Sequence, residues 1–374
     1  MTAKDAHGTW RRLYEIAEQV RRLAPWQWLD ETHIFGVEDP RTGKVGYISV
    51  QGAYDDEAGV FLYLDEEGWT AYWALMEFIA TAGTIPEEMA FSIPMLAVTW
   101  GRKEELTEQE LQLLEELNLT PAEEMAWPLF RSFLPGWSPW YLTEQEAEFL
   151  AMALQQLLVL APMLRDNQGD LLLSRLSEGH VLVRTSKNLS SPENWVSEWR
   201  PIPQKRTTPY HIRIPGQTLD EYRQMLPNRE EIQLDFFMLP TAIEEEPGKR
   251  PYIPYVLLVV DKDKEELLDA RIFNAREGVR AMFERIPGEV LKVLREHQVR
   301  PTRLHVRTER LDALMRRLAQ ELTMEVKRTS TLRPLDRFRI LLLERVVHAG
   351  YPEENDVNHW KAEPSAHSRD GGAT

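Results

Sequence analysis

An α+β protein of two domains is what this sequence predicts, on three observations. The chain has 374 residues, more than one typical domain holds. Its charge steps partway along: residues 1–170 carry 29 acidic and 11 basic side chains, whereas residues 171–374 carry 31 and 33. Tryptophan steps with the charge, nine of the twelve lying between Trp10 and Trp140. The expected order is an acidic, Trp-rich α+β domain over 1–170, a polar connection over 171–205, an α/β domain over 206–350 and a disordered tail over 351–374.

The first domain opens on a helix, because Trp10, Leu13, Tyr14, Ala17, Val20 and Leu23 recur at helical spacing before Pro25 stops them. Strands are expected at 34–37, 45–50 and 60–64, the first two joined by a turn at Asp39-Pro40-Arg41-Thr42-Gly43. A helix rich in Trp and Tyr follows over 68–82, then a strand over 95–100. Thr107 with Glu110, and Thr143 with Glu146, have the spacing of capping boxes, the second opening a long helix to about Leu164. Between them, 127–140 holds three Pro, one Gly and five aromatics. That composition forbids a regular helix and reads as a loop pinned to a surface.

These residues carry a resemblance. The run Ile34-Phe35-Gly36-Val37-Glu38-Asp39-Pro40 resembles a family of uncharacterised two-domain bacterial proteins. So do Trp127-Pro128 with Phe130-Arg131-Ser132, Pro135-Gly136 with Pro139-Trp140, and the Thr143, Glu146-Ala147, Phe149-Leu150 helix. The resemblance spans most of 10–350 and implies a second domain, also of unknown function. It brings no activity, ligand or catalytic residue.

In the polar stretch 171–205, Trp195 and Trp199 read as anchors of an ordered connection. The second domain is expected to hold strands at 232–239, 255–260 and 267–273, the middle one wholly apolar and so covered on both faces. A helix over 276–298 with a break near Pro287-Gly288, a strand at 303–306, a helix at 311–322, a strand at 324–327 and a helix from Pro334 complete it. The order β-β-β-α-β-α-β-α is that of ribonuclease H-like folds, which include integrases and transposases.

That likeness makes a claim about carboxylates. Two-metal phosphoryl chemistry needs several acidic oxygens converging on Mg²⁺ or Mn²⁺. In such a fold the acids sit in the first strand, at the end of the fourth and on the last helix, which here hold Asp235, Glu309 and Glu344. Asp235, flanked by Leu234 and Phe236, interrupts an apolar strand, although an antiparallel strand can also face water there. The other constellations read as structural. His305, between Leu304 and Val306, reads as a surface or hydrogen-bonded histidine, and Asp261 with Asp263 as a solvated turn. No zinc-protease, dinucleotide, Walker or nucleophile-elbow motif is present.

Composition narrows the classes further. At 43% hydrophobic and 28% charged the chain is globular. Absence of cysteine excludes disulfides, thiolate metal sites and a cysteine nucleophile. No apolar run approaches the roughly 20 residues of a membrane helix, and no signal-peptide core opens the chain, so a cytoplasmic address and no membrane partner are expected. The acidic first part repels nucleic acid. The basic stretch 276–345, with 17 basic and 10 acidic residues, reads as solvated or docked on its own acidic partner, with a polyanion as the alternative. Trp127, Phe130, Arg131, Trp137, Trp140 and Tyr141 form the candidate binding surface, able to stack a planar ligand or a peptide, or else to pack their own loop. The expected function is non-enzymatic binding of a protein or small ligand without cofactor. The alternative is a metal-dependent nuclease or transposase-like enzyme, for which nucleic acid would be the partner and Mg²⁺ or Mn²⁺ the cofactor.

Overall fold

The computed structural model describes residues 3–52, 58–82, 89, 92–120, 127–165, 169–186, 195–204, 209–212, 214, 216–228 and 230–349. The chain divides into two units, Met1–Pro135 with Pro139–Arg206, and Gly136–Ser138 with Thr207–Thr374. The fold is α+β, with one mixed sheet in each unit. The expected tail, 351–374, lies outside the described residues.

In the first unit the strands are β1 (Phe35–Glu38), β2 (Val45–Gln51), β3 (Gly59–Leu64), β4 (Met95–Gly101), β5 (Trp127–Phe133), β6 (His180–Ser186) and β7 (Trp195–Pro201). They form a seven-stranded sheet in the order β5-β4-β3-β2-β1-β6-β7. Five consecutive strands run antiparallel, and β6 joins β1 in parallel through Gly36↔Val183 and Val37↔Arg184. The helices are α1 (Ala3–Leu23), α2 (Asp65–Ala82), α3 (Glu108–Glu116), α4 (Glu144–Met163) and α5 (Gly169–Ser177).

Alternation along the strands makes two cores, since successive side chains face opposite ways. Phe35, Val37, Ile48, Val50, Val60 and Leu62 meet Leu13, Ala17 and Val20 of α1 and Leu150, Leu154 and Leu157 of α4. Tyr47, Tyr63, Val181 and Val183 meet Trp69 and Tyr72 of α2 in the other. Gly46 lies where a Cβ would stand 2.7 Å from Leu62 and 3.0 Å from the ring of Phe149. Its lack of a side chain lets α4 approach the sheet.

Two readings of the sequence differ from this architecture. Residues 127–133, expected as part of a loop, are the strand β5, paired with β4 from Met95↔Phe133 to Gly101↔Trp127. Pro128 is tolerated because β5 is the sheet's edge, where a missing donor need not break a ladder. Pro135 and Pro139 fall beyond the strand end, so the dense proline count straddled a strand and the turn after it. The stretch 171–205, expected as a connection, contains β6 and β7. β7 is an edge with mostly exposed side chains, which leaves little hydrophobic period to read.

The second unit holds α6 (Gly216–Gln224), β8 (Glu231–Met238), β9 (Tyr255–Asp261), β10 (Glu266–Phe273), α7 (Val279–Glu296), β11 (Arg303–Val306), α8 (Glu309–Leu322), β12 (Glu325–Arg328) and α9 (Arg333–Ala349). Its sheet order is β10-β9-β8-β11-β12, with β9 antiparallel to β8 and β10, and β11 parallel to β8 and β12. Every residue of β9 is buried. On one face of the sheet Leu335, Leu342 and Val346 of α9 meet Phe237, Val256, Leu258 and Val260. Phe236, pointing the other way, meets Phe283 of α7 at 5.5 Å between ring centroids. α7 passes through Pro287 without the expected break. The proline removes one helical hydrogen bond, but Met282, Phe283, Ile286, Val290 and Leu294 are all buried on that helix and hold it to the sheet.

Candidate functional site

Asp235 sits within β8 on the α9 face and is 1% exposed. A carboxylate that deep needs compensation, because an unpaired buried charge is strongly unfavourable. Two guanidiniums supply it. Arg307, the residue after β11, donates from Nε to Oδ2 at 3.1 Å, and Arg339 of α9 donates from Nη1 to the same oxygen at 2.7 Å. Arg307 comes into reach because β11 runs parallel to β8 with Val306 opposite Leu234, so its next residue arrives beside Asp235.

The pair extends into a network. Arg307 also donates to the Ser330 carbonyl at 2.7 Å and to Asp336 of α9. Asp336 in turn accepts the Leu332 N–H at 3.2 Å. Arg339 lies 4.2 Å from the ring centroid of Phe237, a cation–π distance. Gln233, buried one alternation away, accepts the Leu335 N–H at 3.1 Å and so satisfies a donor in the first turn of α9. Two aspartates and two arginines thus balance in charge and tie α9 to β8 and β11.

The other two expected acids are placed differently. Glu309 opens α8 with its side chain 90% exposed and its nearest basic partner, Arg328, at 3.8 Å. Glu344 is an exposed position of α9. Among the described residues, no group of three or more His, Asp or Glu is arranged to hold a metal ion. Sequence reasoning found Asp235 but missed Arg307 and Arg339, having searched the fourth strand's end and the last helix for acids alone. The basic excess of 276–345 was the available signal.

A second polar cluster lies at the start of β8. Glu231 accepts from Arg303 at 2.8 Å and from Lys262, and contacts His305 Nε2 at 2.8 Å. His305, read as a surface or hydrogen-bonded residue, is buried and paired. Asp261 accepts the N–H groups of Asp263 and Lys264 at 3.0 and 2.9 Å, closing the turn. Hydrogen bonds from Lys262 and then His305 hold the Glu231 carboxyl down at about 2. A depressed carboxylate stabilises the fold above its unfolded value, and that stabilisation is lost as pH falls through the folded one. Glu231→Gln is therefore expected to lower the melting temperature at pH 6, with the gap to wild type closing between about pH 4.3 and pH 2. A gap that did not narrow on acidification would contradict this.

The aromatic segment is divided among several tasks. Phe130 is in the core, 4% exposed and edge-on to Tyr14 at 5.0 Å. Arg131 pairs with Glu110 of α3 and lies 5.8 Å from the Tyr141 ring, which Trp140 meets edge-on at 5.0 Å. Lys103 lies 5.7 Å from the ring of Trp127. Both expected capping boxes form, and their glutamates also reach β5. Glu110 accepts the Thr107 N–H at 2.9 Å and holds Arg131, while Glu146 accepts the Thr143 N–H at 2.7 Å and the Ser132 hydroxyl at 2.8 Å. Trp137 falls in the second unit, bridged to Tyr252. Gly136 there has φ +80°, and a Cβ would stand 2.3 Å from Ala275, so only glycine fits.

No helix among the described residues is long and apolar enough to cross a membrane. No curated protein matches the chain. Residues 10–184 match the model of a family described as Domain of unknown function (DUF7309), and residues 218–343 that of Domain of unknown function (DUF6930). Between them the matches span most of the chain, which is a two-domain protein built from these two domains of unknown function.

Proposed function

We propose that this is a non-enzymatic binding protein of the bacterial cytoplasm, its partner a protein or a small ligand and its second unit ribonuclease H-like. The sheet order supports that likeness: a three-strand antiparallel meander with two parallel strands added beside its first member. Arg307, after the fourth strand, and Arg339, on the last helix, then stand near the places where such a fold would gather its second and third acids. One observation carries the non-enzymatic reading. A divalent cation at Asp235 would have to displace two guanidiniums that already neutralise its carboxylate.

The test compares melting temperatures with and without millimolar Mg²⁺ or Mn²⁺, alongside cleavage assays on single- and double-stranded DNA and RNA. The expected result is an unchanged melting temperature and intact nucleic acid. A rise of several degrees with either metal, together with cleavage that Asp235→Asn abolishes, would replace this reading with a metal-dependent nuclease or transposase-like enzyme using Asp235, Glu309 and Glu344.

A further inference from the structure

We propose that two copies of this chain pair antiparallel along β7, joining their seven-stranded sheets across a two-fold axis at Trp199. The pairing is independent of what else the chain binds. β7 ends its sheet, and among the described residues only β6 pairs with it. An edge strand offers unpaired N–H and C=O groups to any second strand, and natural edges are guarded against this. The other three edges here carry such guards. β5 contains Pro128 and is bridged near its end from Ser132 to Trp140. β10 is bulged between Leu267 and Asp269, and β12 has four residues with Lys327 and Arg328 exposed. β7 instead keeps an unbroken register from Ser186↔Trp195 to His180↔Pro201.

Two observations make a second copy the occupant. The first is which backbone groups face outward. Ile202 donates its N–H to the Gly179 carbonyl at 2.9 Å, continuing the β6 register. In an antiparallel ladder alternate residues bond to the same neighbour, so Val196, Glu198 and Arg200 bond to β6, while Ser197 and Trp199 turn N–H and C=O to the open side. Pro201 belongs to the outward set, and its missing N–H therefore costs β7 nothing in its own sheet. With Trp199 opposite its own copy, each Trp199 N–H meets the other Trp199 carbonyl, and each Ser197 N–H meets a Pro201 carbonyl.

The second is a palindrome in side-chain chemistry. About Trp199, antiparallel pairing sets Glu198 opposite Arg200 and Val196 opposite Ile202, all four on one face, and the two-fold axis makes each pair occur twice. Val196 and Trp199 are 46% and 37% exposed, so apolar surface is covered where the charges meet. The Arg200 and Glu198 side chains are bonded to each other at 3.0 Å but remain 33% and 43% exposed, open to a second chain. Other registers lack this match. An axis at Glu198 or at Arg200 sets that charge against itself, and an axis at Ser197 leaves Glu198 opposite Val196.

Sedimentation equilibrium of the full chain at micromolar concentrations is expected to show a reversible dimer. Glu198→Arg and Arg200→Glu should each be monomeric, because each sets like charges opposite one another. An equimolar mixture of the two variants should restore the dimer, since every cross-strand pair then joins opposite charges. Ser197→Pro removes an N–H that β7 does not use in its own sheet, and should weaken dimerisation by about tenfold through the two bonds lost. Melting temperatures report whether each variant folds. Should Arg200→Glu unfold through loss of its bond to Glu38, Glu198→Arg and Ser197→Pro carry the test. A wild-type monomer at every concentration, a dimer unmoved by Glu198→Arg or Ser197→Pro, or two folded variants that stay apart on mixing would each overturn the proposal. None of these outcomes depends on metal or nucleic acid, so self-pairing and the proposed function fail separately.

Discussion

Asp235→Asn is expected to destabilise the protein by about 3–5 kcal/mol, the cost of breaking a buried ion pair by removing one partner. The substitution keeps the side chain's shape but withdraws the negative charge shared by Arg307 and Arg339. It also leaves an amide N–H₂ facing guanidinium donors. The arginine side chains are 26% and 33% exposed, so water recovers part of the loss and the lower end of the range is expected. Asp336→Asn should cost less, since Asp336 is 34% exposed. Urea denaturation at neutral pH measures both. The sign is informative. Three carboxylates gathered at an empty metal site would repel one another, and neutralising one would leave stability equal or higher. A variant as stable as wild type would therefore contradict the arginine clamp.

Phe130→Ala is expected to cost about 3–5 kcal/mol, as for other buried phenylalanines. The ring is almost wholly enclosed, opposite Val98 on β4 and edge-on to Tyr14 of α1. Trp140→Ala should cost distinctly less, because Trp140 is only half-buried. The comparison separates the two roles read for 127–141. A residue that anchors a strand reports in denaturation, whereas a residue presenting a binding face does not. A silent Phe130→Ala would return that side chain to the candidate binding surface.

Much of the fold was legible because its signals are local. The capping boxes at Thr107 and Thr143 are spelled out within four residues, and both form with the expected hydrogen bonds. The apolar run of β9 states its double coverage in its own composition, and every residue is buried. The β8-β9-β10 meander follows from short connections that favour antiparallel neighbours. The strand β5 was harder, since Pro128 weighs against a strand until it is known that β5 is the last strand of its sheet. Edge or centre is a property of the sheet and is not written in the strand.

Asp235 shows where the local signal ends. Its position between Leu234 and Phe236 was enough to single it out, because a lone acid in an apolar strand must be compensated. The compensating charge comes from residues 72 and 104 positions away. It arrives only when β11 settles parallel to β8 and α9 folds across the sheet. The sequence alone therefore determined which residues carry an unmet need, through burial, charge and period. Tertiary structure decided how each need is met, because ion pairs depend on distances between segments that the order of residues does not encode.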